Sequence, residues 1–216
     1  MAHILITSGP TREYLDPVRF LSNASSGRMG AALATACLRL GHQVTIVSGP
    51  VPITYAESAR VVDVVSTDEM LTASLTVLPN CDGVIAVAAP CDFRPRNYSV
   101  QKIKKQPDQD GMMLDLVKTP DILSQLTVAK PEAWYVGFAL ETETGLSNAV
   151  TKLRQKRCDA IVLNQPETIG SHDAAVRLID KSDQCVATYH GTKTIVAQSI
   201  VDWIQTRLII GSKGTR

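Results

Sequence analysis

The sequence predicts an α/β fold of the Rossmann-like, doubly wound class, with a mostly parallel sheet and an antiparallel hairpin at its edge. First, short apolar runs of strand length alternate with longer amphipathic segments of helix length, an order typical of parallel sheets. Second, residues 84–89 are almost wholly apolar, which suits a central strand covered on both faces. Third, two alternating segments, residues 174–180 and 184–190, flank residues 181–183 and favour a hairpin.

The start of the chain predicts a βαβ unit with a long first loop. Residues 3–7 are apolar and β-branched, and a largely polar loop follows them. A helix is predicted over residues 27–40, capped by the Ser-Ser-Gly stretch that begins at Ser25 and stopped at Gly41. Residues 43–48 are the second predicted strand. The N-terminus of this helix would offer backbone N–H groups to an anion.

The glycine pattern at the start of this helix is close to a dinucleotide fingerprint but departs from it. The residues read S-S-G-R-M-G, and the loop before them is too long for the tight turn of G-x-G-x-x-G. After the second strand, residues 47–51 contain no Asp or Glu for an NAD ribose and no Arg for an NADP phosphate. A Rossmann-like NAD(P) oxidoreductase is therefore disfavoured but kept as an alternative, as is a loop that merely joins two elements.

Polar and basic residues follow the central strand. Asp92 comes just after residues 84–89, and three lysines lie within residues 102–105. Ligands of doubly wound sheets lie beyond the carboxyl ends of the strands, so this segment should face the same crevice as the loop at Asn23. A carboxylate beside a lysine cluster suits a metal-bound triphosphate. A solvated surface loop is the other interpretation, because lysine runs are common.

The rest of the chain continues the alternation of strands and helices. Further strands are predicted at residues 60–66, 112–117, 134–141 and 158–164. Further helices are predicted at residues 67–78, from Pro120 onwards with Thr119 as cap, at 144–157 and at 192–209. No repeat or linker divides the chain, so we expect residues 1–210 to form one domain and residues 211–216 a frayed tail.

Composition and charge disfavour several classes of function. The 216 residues are 44% hydrophobic, and 22 Lys plus Arg against 21 Asp plus Glu leave a net charge of +1, so neither nucleic acid nor a membrane is an expected partner. No apolar run reaches the length of a bilayer crossing and no signal peptide is present, which predicts a cytoplasmic protein. Five scattered cysteines fit reduced thiols better than disulfides or zinc. Cys91 is a poor candidate nucleophile because no His follows nearby.

Several motifs of the chain match those of one known enzyme family. The run T-S-G-P-T-R-E-Y-L-D-P-V-R-F-L-S-N-A-S-S-G-R-M-G, residues 7–30, is similar to the signature of phosphopantothenoylcysteine synthetase, the ligase of coenzyme A biosynthesis. A-A-P-C-D-F and K-I-K-K, at residues 88–93 and 102–105, resemble its nucleotide-binding strand end and its mobile lysine flap. K-T-P-D-I and G-F-A-L-E-T resemble two further segments, and Lys152 and Lys156 have the spacing of two family lysines.

The resemblance implies ligation of 4′-phosphopantothenate to L-cysteine through an acyl-cytidylate, driven by CTP with Mg²⁺. It implies a stand-alone synthetase domain without flavin, a separate phosphopantothenoylcysteine decarboxylase as a partner, and a homodimer in which the flap or the first loop completes the neighbour's site. CTP and ATP both remain open as the nucleotide. Pro90-Cys91 and Gln165-Pro166 depart from the family pattern, and these departures keep a non-catalytic nucleotide-binding scaffold as an alternative.

The same resemblance implies roles for individual residues. The implied catalytic residues are Asn23, as donor to the acyl carbonyl, and Lys102, as the cation that neutralises the α-phosphate. The implied nucleotide-binding residues are Ala86, Val87, Ala88, Asp92, Lys102, Pro120, Asp121, Ile122, Leu123, Phe138, Lys152 and Lys156. Arg19, Ser25, Ser26 and Gly27 would bind phosphate or substrate, and Asp92 would hold the metal together with the nucleotide phosphates.

Overall fold

The computed structural model describes residues 1–104, 110–140, 145–164 and 173–211, and these ranges contain twelve strands and five α-helices. The strands are β1 (His3–Ser8), β2 (Arg12–Tyr14), β3 (Phe20–Ser22), β4 (Gln43–Ser48), β5 (Arg60–Asp63), β6 (Gly83–Ala86), β7 (Phe93–Pro95), β8 (Leu116–Lys118), β9 (Trp134–Leu140), β10 (Ala160–Asn164), β11 (Asp173–Asp180) and β12 (Cys185–Thr192). The helices are α1 (Arg28–Arg39), α2 (Thr67–Val77), α3 (Ile122–Ala129), α4 (Gly145–Gln155) and α5 (Lys193–Ile204).

Eight strands form one sheet in the order β12-β11-β10-β9-β6-β1-β4-β5. The strands from β10 to β5 run parallel, and β11 and β12 are antiparallel at one edge. The chain winds outwards from β1 through β4 to β5, then crosses to β6 and continues through β9 to β10. The predicted fold class is therefore confirmed. The strand order reverses between β1 and β6, and ligands of doubly wound sheets bind at the carboxyl ends of strands near such a reversal.

Both faces of this sheet are covered by helices. Successive residues of a strand point to opposite faces. In β1, Ile4 and Ile6 therefore pack in the core that includes α1 and α5, whereas Leu5 packs in the core that includes α2, α3 and α4. Burial of each such side chain contributes about 1.5–3 kcal/mol to folding. Double coverage explains why the central strands read as nearly continuous apolar runs.

A short antiparallel ribbon of β2 and β3 lies inside the segment that the sequence predicted as a loop. Tyr14 and Phe20 face each other across it, with ring centroids 5.3 Å apart. The guanidinium of Arg12 lies 4.6 Å from the centroid of the Phe20 ring. Such cross-strand pairs stabilise even short ribbons. We call residues 9–27, between β1 and α1, the first loop.

A second ribbon pairs β7 with β8, and it also lies outside the main sheet. Strand β8 begins at Leu116, so the predicted strand at residues 112–117 is wrong over its first four positions. Met112 and Met113 are exposed there, which shows that the apolar pattern of this segment does not face the core. The ribbon returns the chain to the carboxyl end of the parallel strands, just before α3.

Two helix starts differ from the predicted caps. Helix α1 has Gly27 at its N-cap in the left-handed region, with φ of 71°, so the N-cap lies within the predicted Ser-Ser-Gly stretch, but no side chain of the described residues caps the helix. Helix α3 is capped by Asp121, which accepts the Ser124 N–H at 3.1 Å. Thr119, the predicted cap, instead donates its hydroxyl to the carbonyl of Cys91 at 2.5 Å.

Other predicted boundaries agree closely with the structure. The strand at residues 43–48 and the start of α2 at Thr67 are confirmed, and Gly41 follows α1 with φ of 79°. The closing helix is α-helical to Ile204 and continues as π-helical turns from Gln205 to Ile210. In the part of the chain that the structure describes, no helix has the length and apolar run that a bilayer crossing needs. Lys105, Gln165-Pro166, the 141–144 junction and tail residues 212–216 lie outside the described residues.

Candidate active site

A cavity of about 690 Å³ opens at the carboxyl ends of the parallel strands. This volume falls within the range of pockets that bind small molecules and cofactors. One wall comes from the end of the first loop and the start of α1, and a second comes from the segment after β6 and the β8–α3 connection. The ends of β9 and β10 also line the cavity, together with single residues in α4, just after α4 and at the start of α5. The lining residues are 23–30, 86–93, 118–123 and 138–140, together with Thr7, Lys152, Lys156, Asn164 and Lys193.

The motif residues predicted for the site converge on this cavity, with two exceptions. All of the predicted binding residues in the Asn23–Gly27, Ala86–Asp92, Pro120–Leu123 and Phe138–Lys156 segments line it. Arg19 and Lys102 do not. Parallel strands end at the same edge of the sheet, so motifs far apart in the chain meet there.

The start of α1 forms one wall of the cavity. Arg28, Met29 and Gly30, the first three residues of the helix, all line it. The N–H groups of a first helical turn have no acceptor within the helix, and the helix dipole places partial positive charge at this end. This wall therefore suits a phosphate or carboxylate group.

Buried hydroxyl groups hold the backbone at Gly27. Ser8 donates its hydroxyl to the Gly27 carbonyl at 3.4 Å, and the Tyr55 hydroxyl donates to Ser8 Oγ at 2.9 Å. Ser48 Oγ lies 2.8 Å from the same Tyr55 oxygen. Ser8 and Ser48 are almost completely buried. The chain after β4 thus supports the anion-binding wall from behind, through Tyr55.

The segment after β6 is tied to its surroundings on both sides. Thr11 Oγ1 accepts the Cys91 N–H at 2.9 Å, and the Thr119 N–H donates to the Asp92 carbonyl at 3.0 Å. Behind it, the buried Glu13 carboxylate accepts the N–H and the hydroxyl of Thr67 at 2.8 and 2.7 Å. These bonds fix the backbone that carries Asp92 into the cavity wall.

The Cys91 thiol is enclosed by this network. Its Sγ lies 3.6 Å from the carbonyl oxygens of both Thr11 and Leu21. Burial raises the pKa of the Cys91 thiol, and the nearby carboxylates of Glu13 and Asp92 add to this effect. A thiol that stays protonated is a weak nucleophile, in agreement with the low expectation from the sequence.

Asn23 lines the cavity, and its amide nitrogen contacts two backbone carbonyl groups. Nδ2 donates to the carbonyl oxygens of Ala89 and Pro90 at 3.2 and 2.9 Å. The amide nitrogen has two N–H donors, and both of these carbonyl oxygens lie within hydrogen-bonding distance of it. The proposed donation from Asn23 to an acyl oxyanion therefore requires that one of these bonds be exchanged, and that role stays a prediction.

Several basic side chains surround the cavity. Lys152 donates to the Phe138 carbonyl at 2.9 Å, and Lys156 lies 3.1 Å from Asp121 Oδ2. Burial alone would raise the pKa of Asp121, but the Ser124 N–H and Lys156 lower it below its usual value. The N–H of Lys156, which follows the last residue of α4, donates to the Lys152 carbonyl at 2.9 Å, so the two lysines lie one helical turn apart and both line the cavity, as their spacing predicts.

Three further cations that line the cavity were not predicted from the sequence, namely Arg28, Lys118 and Lys193. Burial lowers the pKa of Lys193, and the nearby charge of Arg28 lowers it further. Arg28 and Lys118 lie inside the motifs that carried the resemblance, so their positions could have suggested a role. Lys193 has no such signal, because the hairpin of β11 and β12 brings the start of α5 to the cavity.

Arg19 and Lys102 lie together, away from the cavity lining. Arg19 pairs with Asp16, and its guanidinium also donates to the carbonyl of Ile103, the residue next to Lys102. Lys102 is exposed. The two residues therefore belong to a joint between the first loop and the segment that carries Lys102.

Comparisons with known proteins agree with the fold and the motifs. A family model described as the DNA/pantothenate metabolism flavoprotein C-terminal domain matches residues 1–208. A protein of an unknown prokaryotic organism named cysteine/cysteine sulfinic acid decarboxylase is 41% identical over 209 residues, which cover 94% of this chain and 58% of that protein. The coenzyme A biosynthesis bifunctional protein CoaBC of Vibrio vulnificus strain CMCP6 is 38% identical over 208 residues, which cover 94% of this chain and 52% of that protein.

A solved structure covers almost the same length. The crystal structure of the C-terminal domain of the coenzyme A biosynthesis bifunctional protein CoaBC has a TM-score of 0.81 and 36% identity to this chain, with 96% of each chain covered. The chain thus spans a little over half of the two curated relatives and nearly all of this solved C-terminal domain.

Proposed function

Because this chain belongs to the DNA/pantothenate metabolism flavoprotein C-terminal domain family, we propose that it joins 4′-phosphopantothenate to L-cysteine, consuming CTP and releasing CMP and pyrophosphate. The observation that carries the proposal is the convergence of the α1 start, Asp92 and the α4 lysines on one cavity of about 690 Å³. That arrangement suits a nucleoside triphosphate better than a neutral ligand, because its charge is mainly positive where phosphates would lie.

The chemistry needs two displacements at this cavity. The carboxylate of phosphopantothenate attacks the α-phosphorus of CTP, so a carbon–oxygen–phosphorus link forms and the bond to the pyrophosphate breaks. The amine of cysteine then attacks the acyl carbon, loses a proton, and displaces CMP as the amide bond forms. Both steps gain most from positioning and charge neutralisation, and neither needs a covalent enzyme intermediate. The protonated, buried Cys91 is compatible with that scheme.

The basic residues of the cavity would bind the triphosphate. Lys152 and Lys156 now contact the Phe138 carbonyl and Asp121, and each ammonium group has three donors. A phosphate oxygen could therefore bind either lysine while one present bond is kept. The apolar part of the nucleotide would lie against Ala86–Ala88, Pro120–Leu123 and Phe138, which form the neighbouring wall.

A divalent metal would depend largely on the nucleotide for its ligands. Among the described residues, no cluster of three or more His, Cys, Asp or Glu could hold a metal ion. Asp92 is one of the residues that line the cavity, and Mg²⁺ commonly binds through one or two carboxylates plus substrate phosphates. The donor set thus fits Mg²⁺ bound with CTP, where the ion would offset phosphate charge.

We further propose that the enzyme is a homodimer in which Arg19 and Lys102 act at the neighbour's cavity. Both residues lie outside the lining of their own cavity. Apolar side chains are exposed on the same segments, including Val18 at 58% and Val100 at 83%. A second subunit would cover these side chains and bring the two cations to a substrate. We expect residues 1–210 to form this synthetase domain, and a separate decarboxylase to use the product.

A ligand screen followed by an activity assay tests the proposed function. Because a ligand that binds only the native state raises its stability, CTP with Mg²⁺ should raise the melting temperature more than ATP, UTP or GTP. Pyrophosphate release should then require both CTP and 4′-phosphopantothenate, and the amide should form once cysteine is added. CTP binding without pyrophosphate release would indicate a non-catalytic scaffold. A stabilising effect of NAD(P)H alone would instead favour the oxidoreductase.

A further inference from the structure

The carboxylate of Asp16 is completely buried, although it lies in a surface loop. Its Oδ1 accepts the N–H groups of Val18 and Arg19 at 2.9 Å each. Its Oδ2 accepts Arg19 Nε at 3.0 Å and the Ile103 N–H at 3.1 Å, and Arg19 Nη2 lies 2.8 Å away. Every donor therefore comes either from its own turn or from one residue 87 positions further along the chain.

The residue at that distant position is held through both of its backbone groups. The Ile103 N–H binds Asp16, and the Ile103 carbonyl accepts a hydrogen bond from Arg19 Nη2. A further bond runs from the Ser99 N–H to the Leu15 carbonyl at 2.9 Å. We call residues 99–104 the flap base. The first loop and the flap base are thus joined at two places, and the Asp16–Arg19 pair forms the larger joint.

The Asp16 carboxylate stays ionised at neutral pH, so it can accept all of the hydrogen bonds that form this joint. Burial by itself would raise the pKa of Asp16, but the N–H groups of Val18, Ile103 and Arg19 and the charge of Arg19 lower it to about 2. Among the described residues, Arg19 is the only charged side chain that contacts the Asp16 carboxylate. The carboxylate therefore stays ionised through the neutral range, and it holds Arg19 and Ile103 at fixed positions.

We propose that Asp16 is a positioning residue that holds Arg19 and Lys102 in one rigid unit for the transfer of the nucleotidyl group. Lys102 directly precedes Ile103, so the position of its backbone follows from the Asp16 bond. Arg19 is fixed in orientation by the paired Nε and Nη2 contacts. The assignment rests on the proposed function, because it needs a reaction for which these two cations matter.

The test compares variants in the pyrophosphate-release assay with CTP and 4′-phosphopantothenate. Asp16→Asn keeps the size of the side chain but turns one acceptor into a donor that faces N–H groups. Loss of a hydrogen-bond partner that orients a metal ligand typically costs about 10- to 100-fold in activity, and we expect a comparable effect for a residue that orients a catalytic lysine. We expect kcat to fall by that factor, while the KM for CTP changes by less than about threefold, since Asp16 lies outside the cavity.

A double-mutant comparison separates positioning from a general loss of stability. If Asp16 acts through Lys102, the change Lys102→Gln should cost much less in the Asp16→Asn background than in the wild type. The matched control is Asp115→Asn, which breaks the exposed pair with Arg96, 2.6 Å apart, on the β7–β8 ribbon. In that background Lys102→Gln should keep its full effect. Independent, additive losses in both backgrounds would overturn the proposal.

Hydrogen exchange provides a second readout that needs no folded variant. In the wild-type protein the Ile103 amide should exchange at least about tenfold more slowly than the Lys104 amide, because its N–H is bonded to a buried carboxylate. Rapid exchange at Ile103 would refute the joint even if Asp16→Asn did not fold. If the wild-type protein itself releases no pyrophosphate, the proposed function fails, whereas the exchange result still tests the joint.

Discussion

Removal of the Tyr55 hydroxyl should weaken the hydrogen bonds that hold the backbone at Gly27, without changing any residue of the anion-binding wall at the start of α1. Tyr55→Phe keeps the ring and deletes one oxygen, which now contacts Ser8 at 2.9 Å and Ser48 at 2.8 Å. Neither serine loses every partner, since Ser8 still reaches the Gly27 carbonyl and Ser48 the Gly49 carbonyl. The phenylalanine therefore leaves no completely unsatisfied serine hydroxyl behind.

The expected effect follows from the two lost bonds. Each hydrogen bond contributes about 0.5–1.5 kcal/mol, so the free energy of unfolding should fall by about 1–3 kcal/mol. The lower half of that range is expected, because both serines keep a partner. For a chain of this size each kcal/mol changes the melting temperature by about 2–4 °C. CTP should also bind several-fold more weakly, because the Gly27 backbone is less firmly held.

Urea denaturation and CTP titration of the same preparation test both effects. Tyr98→Phe is the control, since Tyr98 is 54% exposed and should lose neither stability nor CTP affinity. A Tyr55→Phe variant that matches the wild type in both measurements would contradict the supporting role. Reduced stability with unchanged CTP affinity would limit the network to folding and refute its connection to the anion-binding wall.

Three other substitutions test separate parts of the site. Gly30→Ala should lower stability by about 1–3 kcal/mol and weaken CTP binding in a titration, because the new Cβ would lie 2.1 Å from Ser8 Oγ. Cys91→Ser should retain most of the pyrophosphate-release rate, and iodoacetamide should modify native Cys91 slowly at neutral pH because burial raises the pKa of its thiol. Near-complete loss of that rate in a folded Cys91→Ser protein would instead support a mechanism in which the Cys91 thiol acts as a nucleophile. Lys102→Gln should lower the rate of pyrophosphate release by about 10²-fold, and Lys104→Gln should lower it by much less. Equal losses in the two variants would refute the proposed role of Lys102.

The central sheet could be predicted because its strands are marked by strong local signals. Gly41 ends α1 in the left-handed conformation, and the apolar run that follows gives β4 its observed bounds. Ser66 accepts the Glu69 N–H at 3.2 Å and Glu69 bonds back to the Ser66 hydroxyl, so the cap at the start of α2 is encoded within four residues. Such boundaries depend on neighbours in the sequence and need no knowledge of the tertiary fold.

The two ribbons could not be predicted because each strand has only three residues. A period of two is not distinguishable over so short a stretch. The cap of α3 was misassigned for a related reason. Thr119 and Asp121 are both good caps by residue type, and only the tertiary contact of Thr119 with the Cys91 carbonyl decides between them.

The lining residues that directly follow parallel strands could be predicted from the sequence. Those that a distant element brings to the cavity could not. Asn23 and Asp92 belong to segments that follow parallel strands, so their convergence was expected from topology, whereas Phe138 was expected at the site only from the resemblance. Lys193 reaches the cavity through the antiparallel hairpin, whose direction of approach is not encoded near the lysine itself. The presence of Lys193 therefore had to be observed.

The different positions of Asn23 and Arg19 explain why the first loop is so long. These two residues lie four positions apart, yet Asn23 lines the cavity and binds the turn after β6, whereas Arg19 binds the flap base. A tight turn could present only one face to a ligand. The β2–β3 ribbon and the buried Asp16 carboxylate give this loop two rigid sides, one for the cavity and one for the segment that carries Lys102. A shorter loop could still leave the start of α1 open to an anion, but it could not also hold the segment that carries Lys102 in place.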